Sequence, residues 1–418
     1  MKNIRIHPTR RSLLGAILGA GALGLTSRLS VAATGAAPDS NRFVFVILRG
    51  GLDGLAAVPA VGDASFAAAR GALAPVAGTA LALDPTFALQ PSLTQLHAMY
   101  GRGELAVVHA TGLSYRERSH FDAQQVLESG GTRPFDIGSG WLGRALASNG
   151  TRSTRSTRSI ALSTTVPLVL RGPGVVDTWA PTLGKGGAID PAADLVARLE
   201  RLYADDPALA TALQRARALH LDDAMPADPA PAGEMAMNDA AGAVRRGNFT
   251  VLAQRAADFL TQPGGPQAAV LEMSGWDTHA NQANPNGPLA NGLRQLDTGL
   301  AALRDGLVAG SAWGRTVIVV ATEFGRQVAI NGTLGTDHGS GGAAFVLGGA
   351  VRGGRVIADW PGLAARDRFE GRDLRTTTDL RGVLKGVLAD HLQVASRALN
   401  IDVFPGSEVV RGVALLKG

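Results

Sequence analysis

Phe43-Val44-Phe45-Val46-Ile47-Leu48 runs straight into Arg49-Gly50-Gly51-Leu52-Asp53-Gly54. Six apolar residues without alternation predict a strand buried on both faces, as in a parallel sheet. The glycines that follow let the chain turn sharply and leave a carboxylate at the sheet edge. Four further runs read the same way: Leu105 to His109, Ala268 to Met273, Val317 to Ala321 and Ala343 to Leu347. Segments with helical apolar spacing lie between them, at Leu93 to Tyr100, Leu195 to Tyr203, Ala208 to His220, Val251 to Leu260 and Leu289 to Leu307. Strands alternating with helices predict an α/β fold with a mostly parallel central sheet flanked by helices on both faces. In such sheets, sites form beyond the carboxyl ends of the strands.

Composition agrees with a globular chain. Of 418 residues, 45% are hydrophobic and 18% charged, which excludes a mainly disordered or fibrous protein. The absence of Cys excludes disulfides, thiolate metal sites and a Cys nucleophile. Thr9-Arg10-Arg11-Ser12-Leu13-Leu14 is a twin-arginine pattern, followed by an apolar run from Leu13 to Leu25. That run is too short for the roughly 20 residues of a membrane-spanning helix. Val31-Ala32-Ala33 supplies small residues for cleavage, so residues 1–33 read as a twin-arginine export signal. This predicts a periplasmic or secreted protein that meets the twin-arginine translocase during export and has no permanent membrane span. The signal holds Lys2, Arg5, Arg10, Arg11 and Arg28 and no acid; without it, basic and acidic residues balance at 35 each. A neutral mature chain gives no global case for nucleic-acid binding. Residues 34–418 read as one domain. Within it, Thr151 to Ser159 (a Thr-Arg-Ser repeat) and the Asp/Ala/Pro-rich stretch from Asp222 to Gly233 are predicted inserted loops, and Gly172 to Gly187 is loop-like.

Groups able to bind metal or move protons gather just after the buried strands. Asp53 is either a ligand or a carboxylate bonded to its own turn. After the Ala268–Met273 run come Ser274-Gly275-Trp276-Asp277-Thr278-His279. In extended chain, residues i and i+2 point the same way, so Asp277 and His279 can converge on one ion. Glu272, on the strand itself, needs a partner. After Val317–Ala321 come Glu323, Phe324 and Arg326, then Asp337-His338 before the next strand. Two acids and a His beside two buried strands form a plausible ligand set. Arg326 either holds an anionic group bidentately or pairs with Glu323. Ser119, in Arg116-Glu117-Arg118-Ser119-His120-Phe121-Asp122, either caps a helix or presents a hydroxyl at the positive helix end.

Five segments in order, Phe43 to Leu55, Arg118 to Gln124, Ser274 to His279, Thr322 to Arg326 and Gly335 to Gly349, make the chain resemble the twin-arginine-exported domain-of-unknown-function family fifteen-oh-one, a branch of the alkaline phosphatase/sulfatase superfamily. The resemblance covers nearly all of the mature chain. It implies an alkaline phosphatase/sulfatase-like fold with one or two divalent metal ions of zinc, manganese, calcium or magnesium. It implies metal ligands at Asp53, Asp277, His279, Glu323, Asp337 and His338, and catalytic roles for Ser119 as nucleophile and Arg326. Two features depart from the superfamily pattern. Phe324 stands where a metal-binding His is expected, and the Asp277–His279 interval is short. A second metal site then needs Asp337 or His120 to complete it. The function implied is an exported, metal-dependent hydrolase acting on phosphate or sulfate esters of an anionic small molecule or glycan. The alternative is a catalytically degenerate member of the same fold acting as a periplasmic binding or interaction protein. A redox role fits less well, because no dinucleotide fingerprint follows the first strand.

Overall fold

The computed structural model describes residues 40–148, 158–181, 193–204 and 249–417, together with residues 206, 210 and 213. The predicted signal and the predicted insertion at 222–233 lie outside the described residues, as do most of the 151–159 repeat and most of the helix predicted at 208–220. In chain order the described elements are β1 (Arg42–Arg49), α1 (Gly54–Ala57), α2 (Phe66–Arg70), β2 (Leu81–Ala82), β3 (Ala88–Leu89), α3 (Thr94–Gly101), β4 (Leu105–Gly112), α4 (His120–Ser129), α5 (Trp141–Ser148), β5 (Arg158–Ala161), β6 (Val175–Thr178), α6 (Ala193–Tyr203), α7 (Phe249–Thr261), β7 (Ala268–Ser274), α8 (Pro288–Ala309), β8 (Thr316–Thr322), β9 (Gly342–Leu347), β10 (Arg355–Ile357), β11 (Thr378–Asp379) and α9 (Leu380–Leu392).

The five apolar runs become the five central strands. The sheet order is β10-β4-β9-β8-β1-β7-β5-β6, with β11 beside β4. Every pairing is parallel except those of β9, which runs antiparallel to both β4 and β8. Along β1, Val44, Val46 and Leu48 join one core and Phe43, Phe45 and Ile47 the other. The unbroken apolar run is therefore the direct consequence of two covered faces. The first face packs against α3, α7 and α8, through residues such as Leu96, Leu252 and Leu293. The second packs against α4, α5 and α9, through Val126, Trp141 and Leu384. Each fully buried Val, Leu, Ile or Phe contributes about 1.5–3 kcal/mol of transfer free energy.

This topology gathers the polar segments at one edge. β1, β7 and β8 are parallel neighbours, with Arg49 opposite Ser274 and Leu48 opposite Thr322, so all three end together. Because β9 is antiparallel, residues 323–341 leave β8 and re-enter the sheet at that same edge. β4 ends there too, since Thr111 pairs with Gly342. The strand β6 falls inside the segment read from sequence as loop, and α9 and the short edge strands were not predicted. Among the described residues, no helix is long and apolar enough to cross a membrane.

Candidate metal centre

Three imidazoles and one carboxylate converge beyond the sheet edge. His120 is the first residue of α4. Asp277 and His279 leave β7, and His338 precedes β9. The Nε2 atoms of His120 and His279 each lie 3.0 Å from Nε2 of His338. Asp277 Oδ1 lies 3.0 Å from His279 Nε2 and 3.1 Å from His338 Nε2, and its Oδ2 lies 3.4 Å from His120 Nε2. His120, Asp277 and His338 each offer a donor atom within 4.8 Å of the other two.

The opposite nitrogen of each ring is anchored. His120 Nδ1 lies 2.8 Å from Glu323 Oε1, His338 Nδ1 lies 2.9 Å from the Arg118 carbonyl, and His279 Nδ1 lies 3.2 Å from Asp337 Oδ1. Each of these partners can only accept, so each Nδ1 carries the hydrogen and donates it. In neutral rings the Nε2 lone pairs would then face one another. Facing lone pairs at 3.0 Å repel unless a proton or a metal ion lies between them. Nitrogen and oxygen ligands roughly 2.0–2.1 Å from a tetrahedral ion stand about 3.3 Å apart, close to the spacings seen here. The donor set therefore fits a divalent ion, and the imidazole–carboxylate pairs behind it are of the kind that fix ligand rings.

The surroundings act differently on each group. Burial disfavours the charged His120 ring, but the hydrogen bond and charge of Glu323, with Asp277, outweigh it and raise its pKa. Burial lowers the pKa of His338, and the charges of His120 and Arg326 add to this. Burial alone would raise the Asp277 pKa, yet the Arg326 guanidinium, 2.6 Å from Oδ1, overcomes it and holds the carboxylate ionised.

Several expected roles change. Asp53 is not part of the centre: it is 1% exposed, with Oδ1 capping α1 through the Ala56 amide and Oδ2 paired at 2.5 Å with buried Arg70. A carboxylate neutralised by arginine and closed from solvent serves as a structural anchor rather than a ligand. Glu323 and Asp337 stand behind the imidazoles as acceptors rather than facing the convergence point. Glu323 is buried and also accepts from the Gly50 amide, Gln124 and Thr322. Arg326 is buried and engaged with Asp277 and with both oxygens of Thr336, so it is neither a free anion fork nor the partner of Glu323. Ser119 occupies the N-cap position of α4, but its hydroxyl makes no capping bond. Among the described residues no base bonds to it. Glu272 meets its need for a partner in Arg49, which grips both carboxylate oxygens at 2.8 Å.

Phe324 packs its ring against His120 and His338, with centroids 4.7 and 5.1 Å apart, and forms an apolar wall on one side of the centre. His120 thus supplies the imidazole that the Phe324 position does not. Its sequence signal was its place at a helix start after a buried strand, next to the serine that drew attention. Gln282 and Thr336 carried no signal, since the bonds from Gln282 to Asp53 and from Thr336 to Gln282 join residues remote in sequence.

A family model described as a protein of unknown function, DUF1501, matches residues 40–400. No curated protein matches the chain. Among solved structures the chain is similar to a 2-O GAG sulfatase, with TM-score 0.42 and 11% identity over 90% of this chain and 74% of that one. It is similar to a phosphonate monoester hydrolase of Agrobacterium radiobacter, with TM-score 0.40 and 12% identity over 85% and 74%. A protein in the alkaline phosphatase superfamily from Vibrio parahaemolyticus gives TM-score 0.36 and 11% identity over 78% and 67%. Likeness at this level adds nothing to the reading of the site, which stands on its own geometry.

Proposed function

We propose that this chain, which belongs to the DUF1501 family of proteins of unknown function, is an exported, metal-dependent hydrolase of phosphate or sulfate esters. The convergence of three anchored imidazoles on the ionised Asp277 carries this reading. His120, Asp277 and His338 would hold the ion, with His279 beside them. A nitrogen-rich set of this kind suits zinc better than calcium or magnesium, which favour all-oxygen sites. Bound there, a divalent ion supplies Lewis acidity toward an ester oxygen and lowers the pKa of a nearby hydroxyl.

The chain's own residues do the rest. Glu323, the Arg118 carbonyl and Asp337 fix the three rings, and Arg326 keeps Asp277 charged. Phe324 keeps one side dry. Arg118 and Arg372 bracket His338: the ring donates to the Arg118 carbonyl, and Arg372 Nη2 donates to the His338 carbonyl at 2.9 Å. Both guanidinium groups are partly exposed but already ion-paired, Arg118 with Glu370 and Asp373 and Arg372 with Asp373, so the anionic small-molecule or glycan ester of this reading would have to compete with those carboxylates. Ser119, one residue before His120, is the nucleophile in this reading. The twin-arginine pattern at Thr9–Leu14 supports export through that translocase to the periplasm or beyond.

A second reading retains the metal and loses turnover, leaving a periplasmic binding protein. Its support is the Ser119 hydroxyl, to which no base bonds among the described residues. Elemental analysis of exported protein and turnover on phosphate and sulfate ester panels decide between the two. In the hydrolase reading, bound metal and activity disappear together in Asp277→Asn and His338→Ala, and Ser119→Ala loses activity with metal retained. Bound metal without turnover selects the binding protein, and turnover surviving in both ligand variants removes the residue assignment.

A further inference from the structure

A line of buried polar side chains runs from the end of β1 to the Asp277 carboxylate. It begins at the Asp53–Arg70 pair. Arg70 Nη1 donates to the carbonyls of Val328, at 2.8 Å, and Gln327, at 3.3 Å, the residues directly after Arg326. Asp53 Oδ2 accepts from Gln282 Nε2 at 2.5 Å. The amide oxygen of Gln282 accepts two hydroxyls, from Thr278 at 2.8 Å and Thr336 at 2.7 Å. Thr336 Oγ1 accepts in turn from Arg326 Nε at 3.2 Å, and Arg326 Nη1 reaches Asp277 Oδ1 at 2.6 Å.

Each link fixes the next. A carboxylate only accepts, so Gln282 must turn its NH2 to Asp53 and its oxygen to the threonines. The Thr336 hydroxyl must then donate to Gln282, which leaves its lone pairs for Arg326. Gln282 is 4% exposed and Thr336 fully buried, so no solvent replaces a lost partner. The two loops joined here, 277–282 and 326–338, carry Asp277, His279 and His338. Backbone bonds tie the loops to one another, as from the Thr336 amide to the Thr278 carbonyl at 3.2 Å. The side-chain line ties both to the end of β1.

We propose that Gln282 and Thr336 are positioning residues that set the metal affinity of the centre by holding Arg326, and through it Asp277, in one orientation. The assignment rests on the metal-centre reading above, and it gives the buried Asp53 a role at a distance from the ion. Removal of supporting partners behind metal ligands typically weakens binding by about 10–100-fold.

The test is zinc affinity by chelator competition on the full mature chain. It compares the unaltered protein with Gln282→Met, Thr336→Val, Thr336→Ser and His338→Ala, each checked for folding by circular dichroism without metal. Gln282→Met and Thr336→Val should bind zinc about 10–100-fold more weakly while remaining folded. Thr336→Ser keeps the hydroxyl and should bind like the unaltered protein, which a general packing role for Thr336 would not predict. Folded Gln282→Met and Thr336→Val that bind zinc as tightly as the unaltered chain overturn the proposal. Failure of both to fold also overturns it, because the line is then needed for the fold itself. Zinc binding equal in His338→Ala and the unaltered protein, or absent from both, defeats the metal-centre reading and the positioning roles with it. Zinc binding that depends on His338 but not on Thr336 defeats only the latter.

Discussion

Asp53 and Asp277 both follow buried strands, yet their surroundings give them opposite duties. Asp53 is closed in with Arg70, and breaking such a pair typically costs about 3–5 kcal/mol. Urea unfolding of metal-free Asp53→Ala should show a loss of that size, whereas metal-free His338→Ala should stay within about 1 kcal/mol of the parent, because surface-near changes seldom exceed it. Sequence could mark both aspartates as candidates, but not which would meet an arginine, because Arg70 sits in an unremarkable Ala-Ala-Ala-Arg stretch. Asp277, His279 and His338 were legible, since each leaves or enters a recognisable strand. His109 offers a separate test. Burial lowers its pKa to about 4, against partial opposition from the Val58 carbonyl and Asp53. Its Nε2 donates to that carbonyl and its Nδ1 accepts from the Ala110 amide, so the ring is neutral and satisfied. Above the unfolded value near 6.5, the ring is neutral in both states and its contribution is intact. As pH falls from about 6.5 to 4, the unfolded chain gains a proton the folded one resists, and about 3 kcal/mol is lost. Unfolding midpoints of the parent and His109→Phe across this window should converge toward low pH; parallel curves would remove the assignment.

At the level of elements, the turn after β1 and the loop after β8 must pass close to other backbone. Gly50 has φ +118°, and a Cβ there would come 2.6 Å from the Asp277 amide nitrogen. A Cβ on Gly325 would come 1.9 Å from the Gly341 carbonyl oxygen. Gly50→Ala should therefore displace the loop bearing Asp277 and weaken metal binding, and Gly325→Ala should destabilise the fold by about 1–3 kcal/mol or more. Chelator competition reads the first effect and denaturant unfolding the second. The glycine-rich stretch after β1 was visible in the sequence, although the backbone it must clear was not. The helix α9 escaped notice for a different reason. It is buried almost all round, including Arg381, Lys385 and His391. The Lys385 ammonium bonds Asn400 and two backbone carbonyls, and His391 Nε2 bonds the Arg42 carbonyl. Polar residues that find partners inside the protein blur the apolar stripe that would announce a helix.

For the molecule as a whole, the sheet and its two helical layers were readable because both faces of the central strands are covered, which forces long apolar runs. The antiparallel sense of β9 was not, since an apolar run carries no direction. The candidate ligands come from α4, the loop after β7 and the loop before β9, so an ion that bound them would bind the folded chain alone. Free zinc at a thousandfold above Kd should add about 4 kcal/mol to stability, seen as a rise in Tm that a chelator reverses. The place of β9 has one more consequence. It lies between β4 and β8, yet it is made after both. A nascent chain halted before Gly342 lacks β9, β10 and β11, so β4 has no strand beside it and β8 is bare on the edge that β9 will cover. Closing the sheet is thus deferred until residues 342–347 have been made, well after the strands they join.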